Sequence, residues 1–166
     1  MSLAEIIRWL TSTPINAFVM DFRWVWPISE SMHFCGLVLM VGTVATFDLR
    51  LLGLAKGISP AVLHRSIRFG LVGFALSAIT GSLFIFGQPD QYFYNDAFKL
   101  KSVCLLLLGL NAGAFYRLEA RGVLALGPAA DAPPRAKVIA AISLSLLVLI
   151  MLSGRMLTFF RPLFVP

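Results

Sequence analysis

Residues 24–42 read "WVWPISESMHFCGLVLMVG". The stretch begins like the entry to a membrane span, yet its first turns carry Glu30 and then His33. Beyond His33 it is almost wholly apolar, and its continuation to Phe47 gives the roughly 20 residues that a spanning helix needs. The ordinary cost of an ionisable group in hydrocarbon makes those two residues the first candidates for function.

The rest of the chain supports a membrane reading. Of its 166 residues 58% are hydrophobic and 13% charged, with a mean hydropathy of +0.85, against nearly half apolar and about a quarter charged in soluble domains. Charges clear four apolar windows, so the fold class expected is all-α, an integral membrane four-helix bundle forming one transmembrane domain over 1–166. Its spans fall at about 27–48, 69–87, 97–117 and 137–158. The opening residues 2–10, "SLAEIIRWL", read as a short interfacial amphipathic helix rather than a signal peptide. Ser2 and Glu5 form a capping box, and Leu3, Ile6, Ile7 and Leu10 share one face. Thr13-Pro14 ends that helix. Cys35 and Cys104 fall inside spans, where small buried side chains are the ordinary reading.

With four spans, both termini and the segment 88–95 share one side. The opposite segments, 48–68 and 117–137, hold Arg50, Lys56, Arg65, Arg68, Arg117, Arg121, Arg135 and Lys137. The terminal side holds Arg8, Arg23, Lys99 and Arg161, with Lys101 and Arg155 inside the span ends. The positive-inside rule then places the basic segments in the cytoplasm and both termini on the outer side of the membrane. The net charge of +6 is a topology signal and not a nucleic-acid footprint, since no basic stripe is interleaved with stacking aromatics. Trp24, Trp26, Tyr92, Phe93, Tyr94, Phe98, Phe159 and Phe160 gather at the terminal side as an interfacial belt. Asn95 or Asp96 caps the third span, and the loop "LGPAADAPPRAK" reads as mobile.

Depth links the polar residues. At about 1.5 Å per residue, His33 lies roughly 9 Å from Pro27, Lys101 roughly 6 to 8 Å from Asp96 and Arg155 roughly 8 Å from Phe160. Glu30 and His33 are three apart and share a face. One carboxylate, one imidazole and two cations therefore stand at similar depth, as a cofactor-binding cluster of Glu30, His33, Lys101 and Arg155 with His33 as the metal ligand. Against this, Lys101 and Arg155 read equally well as snorkelling to headgroups, and Glu30 as satisfying a helix N-terminus. His64 belongs to the other interface and reads as a headgroup-level surface histidine. Gly73, Ser77 and Gly81 recur every four residues; close helix packing is the ordinary reading and a surface cleared for a flat ligand the alternative. Asp48 and Arg50 read as capping the first span, with Arg65 or Arg68 as partners for Asp48. His33 and Cys35 point about 200° apart, whereas Met40, Met151 and Met156 keep a copper(I) site with His33 open.

The patterns "WPISESMH", "FDLRLLG", "TGSLFIF" and "NDAFKLK…NAGAF" together resemble a family of small four-helix bacterial inner-membrane proteins, over about residues 24–157. No activity carries over from it. More distantly, a histidine in the first span, an arginine after it and a lysine opening the third resemble the CopD copper-resistance family and HemJ, the haem-binding protoporphyrinogen oxidase. That resemblance implies a haem or copper role for His33 and a supporting role for Lys101, although the sequence shows no second strong axial ligand. Three functions are left open: a redox protein holding b-type haem on His33 and exchanging electrons with quinone or a periplasmic partner protein; a copper-handling or small-solute protein; and a non-catalytic scaffold subunit of an oligomer or larger membrane complex.

Overall fold

The computed structural model describes residues 2–159, so Phe160 and Arg161, assigned above to the aromatic belt and the terminal side, lie outside it. Among the described residues the chain is all helix and turn. Four helices are long and apolar enough to cross a membrane: α3 (Val25–Leu51), α5 (Ile67–Gly87), α7 (Asp96–Leu118) and α9 (Pro134–Met156). The protein is a multi-pass membrane protein, and the exposed row Leu100, Val103, Leu106, Leu107 and Leu110 of α7 meets lipid rather than core.

Short helices join the spans. α1 (Leu3–Thr11) starts at Ser2 through the capping box anticipated from sequence, with both reciprocal bonds present. Thr13-Pro14 ends it as expected, but the same pair also starts α2 (Pro14–Asp21): the Thr13 hydroxyl accepts from the Asn16 amide and Pro14 fits the first turn. Asn16 donates its side-chain amide to the carbonyls of Phe86 (2.7 Å) and Gly87 (3.2 Å), occupying acceptors that the end of α5 leaves without intrahelical partners. Further single turns are α4 (Pro60–His64), α6 (Pro89–Phe93) and α8 (Ala120–Leu124). Asn95 caps α7, accepting from the Ala97 amide at 2.9 Å, and donates across to the Leu157 carbonyl beyond α9 at 3.1 Å.

The spans pack in two pairs, α3 with α5 and α7 with α9, joined by α3 against α9. Their order is therefore α5–α3–α9–α7, with no extended contact between α5 and α7. The α3–α5 pair is the tight one: a Cβ at Gly36 would strike Ser77 and the Gly73 carbonyl, and one at Gly73 would strike α3 in return. Ser77 Oγ donates to the His33 carbonyl at 3.2 Å across this seam. Close packing thus accounts for Gly73 and Ser77.

The densest core is at the end that carries the basic segments, where Phe47, Leu51, Phe115, Ala120, Val123, Ala132, Ala136 and Ala140 form one buried cluster. Arg50 is wholly buried beside it. Its Nε donates to the Ile58 carbonyl (2.6 Å) and its Nη2 to the Ala130 carbonyl (3.1 Å), tying both loops of this end to α3. The Ala129 amide donates to the Lys56 carbonyl (2.7 Å), and Asp131 pairs with Lys56 (2.7 Å) and Lys137 (3.5 Å). The loop read as mobile is pinned, because its Ala130 carbonyl accepts from a buried guanidinium and its Asp131 pairs with Lys56. Asp48 is also buried and faces Ser143 of α9. Arg65 and Arg68, the partners anticipated for it, are exposed and form no ion pair with it.

Candidate functional site

His33 lies on α3 against α5, half-buried, with its Nδ1 3.1 Å from Thr80 Oγ1. Room for the ring comes from Gly81, where a Cβ would stand 3.3 Å from His33 Cε1. Gly81 therefore does something different from Gly73 within the same stripe: it admits an imidazole. Phe84 presents itself edge-on to the ring at 5.7 Å, and Trp26 packs on Phe84 at 5.0 Å.

The Thr80 contact fixes the chemistry of the imidazole. The hydroxyl donates its single proton back along α5, to the Leu76 carbonyl at 2.8 Å with Ser77 O at 3.3 Å, so towards His33 its oxygen acts as an acceptor. The Ser77 carbonyl also faces the ring. Both neighbours call for a proton on Nδ1, which leaves Nε2 as the basic nitrogen. No hydrogen bond to Nε2 is present among the described residues. Thr80 opens the stretch "TGSLFIF", but that stretch does not point to a contact with His33; its role depends on the register between α3 and α5.

Lys101 projects from α7 towards α9, where its Nζ would lie 3.6 Å from a Cβ at Gly154. It is half-buried and forms no ion pair among the described residues, and its charge is felt at His33. His33 lies in the α3–α5 pair and Lys101 in the α7–α9 pair, and the two pairs are joined by α3 against α9.

The other two cluster members lie apart. Glu30 is exposed and forms no ion pair among the described residues; its charge acts on Tyr92 of α6. The Tyr92 hydroxyl is pushed up to about 12, first by burial and then by that carboxylate. Arg155 is exposed, its guanidinium 5.1 Å over the Phe159 ring, as a snorkelling cation would be. Of the four residues, His33 and Lys101 are half-buried, with the Lys101 charge felt at His33, whereas Glu30 and Arg155 are exposed.

Of the thioethers weighed with His33, Met40 is buried in α3, whereas Met151 and Met156 are exposed on α9. Among the described residues no three His, Cys, Asp or Glu side chains are grouped to hold a metal ion. Cys104 is buried as expected, but Cys35 is exposed, because its position faces away from both packed seams of α3. His64 is at the other end, as its position implied, yet it is built in rather than loose at the surface. Its Nε2 lies 3.0 Å from the Tyr116 hydroxyl and its ring meets Phe47 edge-on at 5.8 Å. A hollow of about 390 Å³ at the α7–α8 corner, lined by Tyr116, Arg117, Leu118, Ala120 and Arg121, also belongs to that end. Comparison of the chain with protein-family models, with curated proteins and with solved structures finds no match.

Proposed function

We propose that the chain is a membrane redox protein that holds b-type haem on His33 Nε2, with Lys101 facing a propionate, and exchanges electrons with quinone or a partner protein at the aromatic end. The observation that carries this reading is the 3.1 Å contact of His33 Nδ1 with Thr80 Oγ1: with the Thr80 hydroxyl turned back to its own helix, Nδ1–H is the donor in this reading, which orients the ring and leaves the Nε2 lone pair to a ligand, as an outer-sphere partner does for a metal-bound histidine. The donor set fits a group needing one axial imidazole and a cation for its carboxylates. When bound, haem supplies one-electron chemistry whose potential follows its axial ligand and burial. The chain's own part is to orient the imidazole through Thr80, to place the charge of Lys101 where it is felt at His33 and to set the Phe84 ring edge-on to it. Quinone suits the bilayer as an apolar electron partner.

Absorption spectra and haem content of full-length protein purified from haem-replete cells test the reading. Wild type shows a Soret band, His33→Ala loses it and His64→Ala keeps it. Thr80→Val retains the ligand but weakens binding by about 10- to 100-fold, the usual effect of removing an outer-sphere partner. Colourless wild type, or a His33→Ala protein with full haem, overturns the proposal. Copper on colourless protein that is lost in His33→Ala points instead to copper handling.

The same reading puts the protein in a bacterial inner membrane, with the Arg50-tied loops in the cytoplasm and Ser2 in the periplasm. An impermeant thiol reagent added from the periplasmic side labels Ser2→Cys and spares Ala129→Cys. The reverse pattern inverts the topology.

A further inference from the structure

The last turns of α3 hold a carboxyl that the haem reading does not use. Asp48 is 5% exposed, and its Oδ2 has no hydrogen-bond partner among the described residues. The Ser143 hydroxyl of α9 faces the carboxyl. Ser143 lies one turn from Ile139, whose carbonyl accepts the Asn111 side-chain amide of α7 at 3.0 Å. Polar groups from three spans therefore meet at this depth, inside an otherwise apolar bundle.

Among the described residues no ion pair to the carboxyl is present. Arg50 follows by two residues, about 200° around the helix; its Nε and Nη2 are directed at the Ile58 and Ala130 carbonyls, and its Nη1, also buried, has no hydrogen bond to Asp48. Charged and titratable groups on the elements packed against this end of α3 are occupied or turned outward: His64 of α4 bonds Tyr116, Arg68 of α5 lies over Phe69, Lys137 of α9 pairs with Asp131, and Arg135 is exposed. A buried carboxylate without a cation or a full set of donors costs several kcal/mol, and proton uptake removes that cost. A metal cation would need about six oxygen ligands, whereas Asp48 and Ser143 supply two side chains; a proton needs one lone pair.

We propose that Asp48 is a proton-binding site, loaded from the basic-loop side of the membrane, with Arg50 closing the loops over it. Uptake adds one proton to the carboxylate, whose charge goes from −1 to 0 with no electron transferred. Release returns the same proton to the basic-loop side, where the Arg50 bonds to the Ile58 and Ala130 carbonyls hold the two loops to the end of α3. This site needs no cofactor at His33 and stands independently of the haem reading.

Infrared spectroscopy of the full-length protein in lipid nanodiscs tests it, recorded as a function of pH at fixed sodium and again as a function of sodium at fixed pH. A carboxylic-acid C=O band at neutral pH, titrating with pH but not with sodium, is expected to vanish in Asp48→Asn and to shift in Ser143→Ala. If Asp48→Asn does not yield monodisperse protein, Ser143→Ala decides: a shifted band supports the site and an unshifted one overturns it. Absence of the band in wild type at neutral pH, its persistence in Asp48→Asn, or titration by sodium overturns the proposal.

Discussion

The two ends of the bundle handle arginine in opposite ways. At the aromatic end Arg155 is exposed and lies over the Phe159 ring, and its neighbours at similar depth, Glu30 and Lys101, form no ion pair among the described residues. At the basic-loop end Arg50 is wholly buried and grips two loop carbonyls from the end of a span. One guanidinium reaches out to the interface; the other is drawn inward because the loops bring acceptors to it. The difference separates two uses of charge in a membrane protein: an exposed rim where Arg155 lies over an aromatic ring, and an enclosed joint that holds connecting segments in place.

The same substitution made at both ends sharpens the contrast. Arg50→Ala removes two charge-assisted hydrogen bonds and the volume of a large buried side chain, at 1.5–3 kcal/mol for a typical bond of that kind. The lost cost of burying the charge offsets part of this, so the net destabilisation is about 3 kcal/mol. It appears in detergent unfolding followed by circular dichroism. Arg155→Ala stays within about 0.5 kcal/mol, as surface changes do. Equal losses at the two ends would erase the distinction. A stable Arg50→Ala protein would mean that the loop carbonyls are hydrated as readily as they are bonded.

Much of the fold is legible in composition, because a span needs length and apolarity and little else; the four windows centred near residues 37, 78, 107 and 147 all became helices. Local chemistry is legible too. The Ser2–Glu5 box and the Asn95 cap act within three residues of themselves, and both formed. What the sequence hides is which way each span turns. In a soluble bundle the polar face marks the outside, but a helix in lipid is apolar on both faces, so hydropathy does not distinguish a seam from a lipid surface. That is why Cys35 reads as buried and lies exposed, and why Arg50 reads as a boundary residue and lies in the core. His33 and Lys101 were visible as residues out of place. Thr80, which sets the tautomer of His33, was not, because a threonine bonded to its own helix looks like any other until a neighbouring helix is docked on it.

The smallest effect is expected at Asp131, where the comparison is tested from the outside of the joint. Lys56 holds this carboxyl below its ordinary range by a hydrogen bond at 2.7 Å, and the charges of Lys137 and Lys56 add to it. A carboxyl whose folded value is depressed contributes stability that is present above its unfolded value, near 3.9, and is lost as pH falls through the folded one. Asp131→Asn should therefore be slightly less stable than wild type at neutral pH, and the gap should close only well below pH 4. The group is exposed, so added salt shrinks the gap at neutral pH as well. The Arg50 bonds to the loop carbonyls involve no carboxylate, so the loss seen in Arg50→Ala should keep its size where the Asp131 contribution has gone. Unfolding of both variants across pH 3 to 7, at low and high salt, measures this. If the Arg50 loss faded together with the Asp131 contribution, the buried guanidinium would be acting through the surface pairs, and the two loops would be held from outside rather than from within.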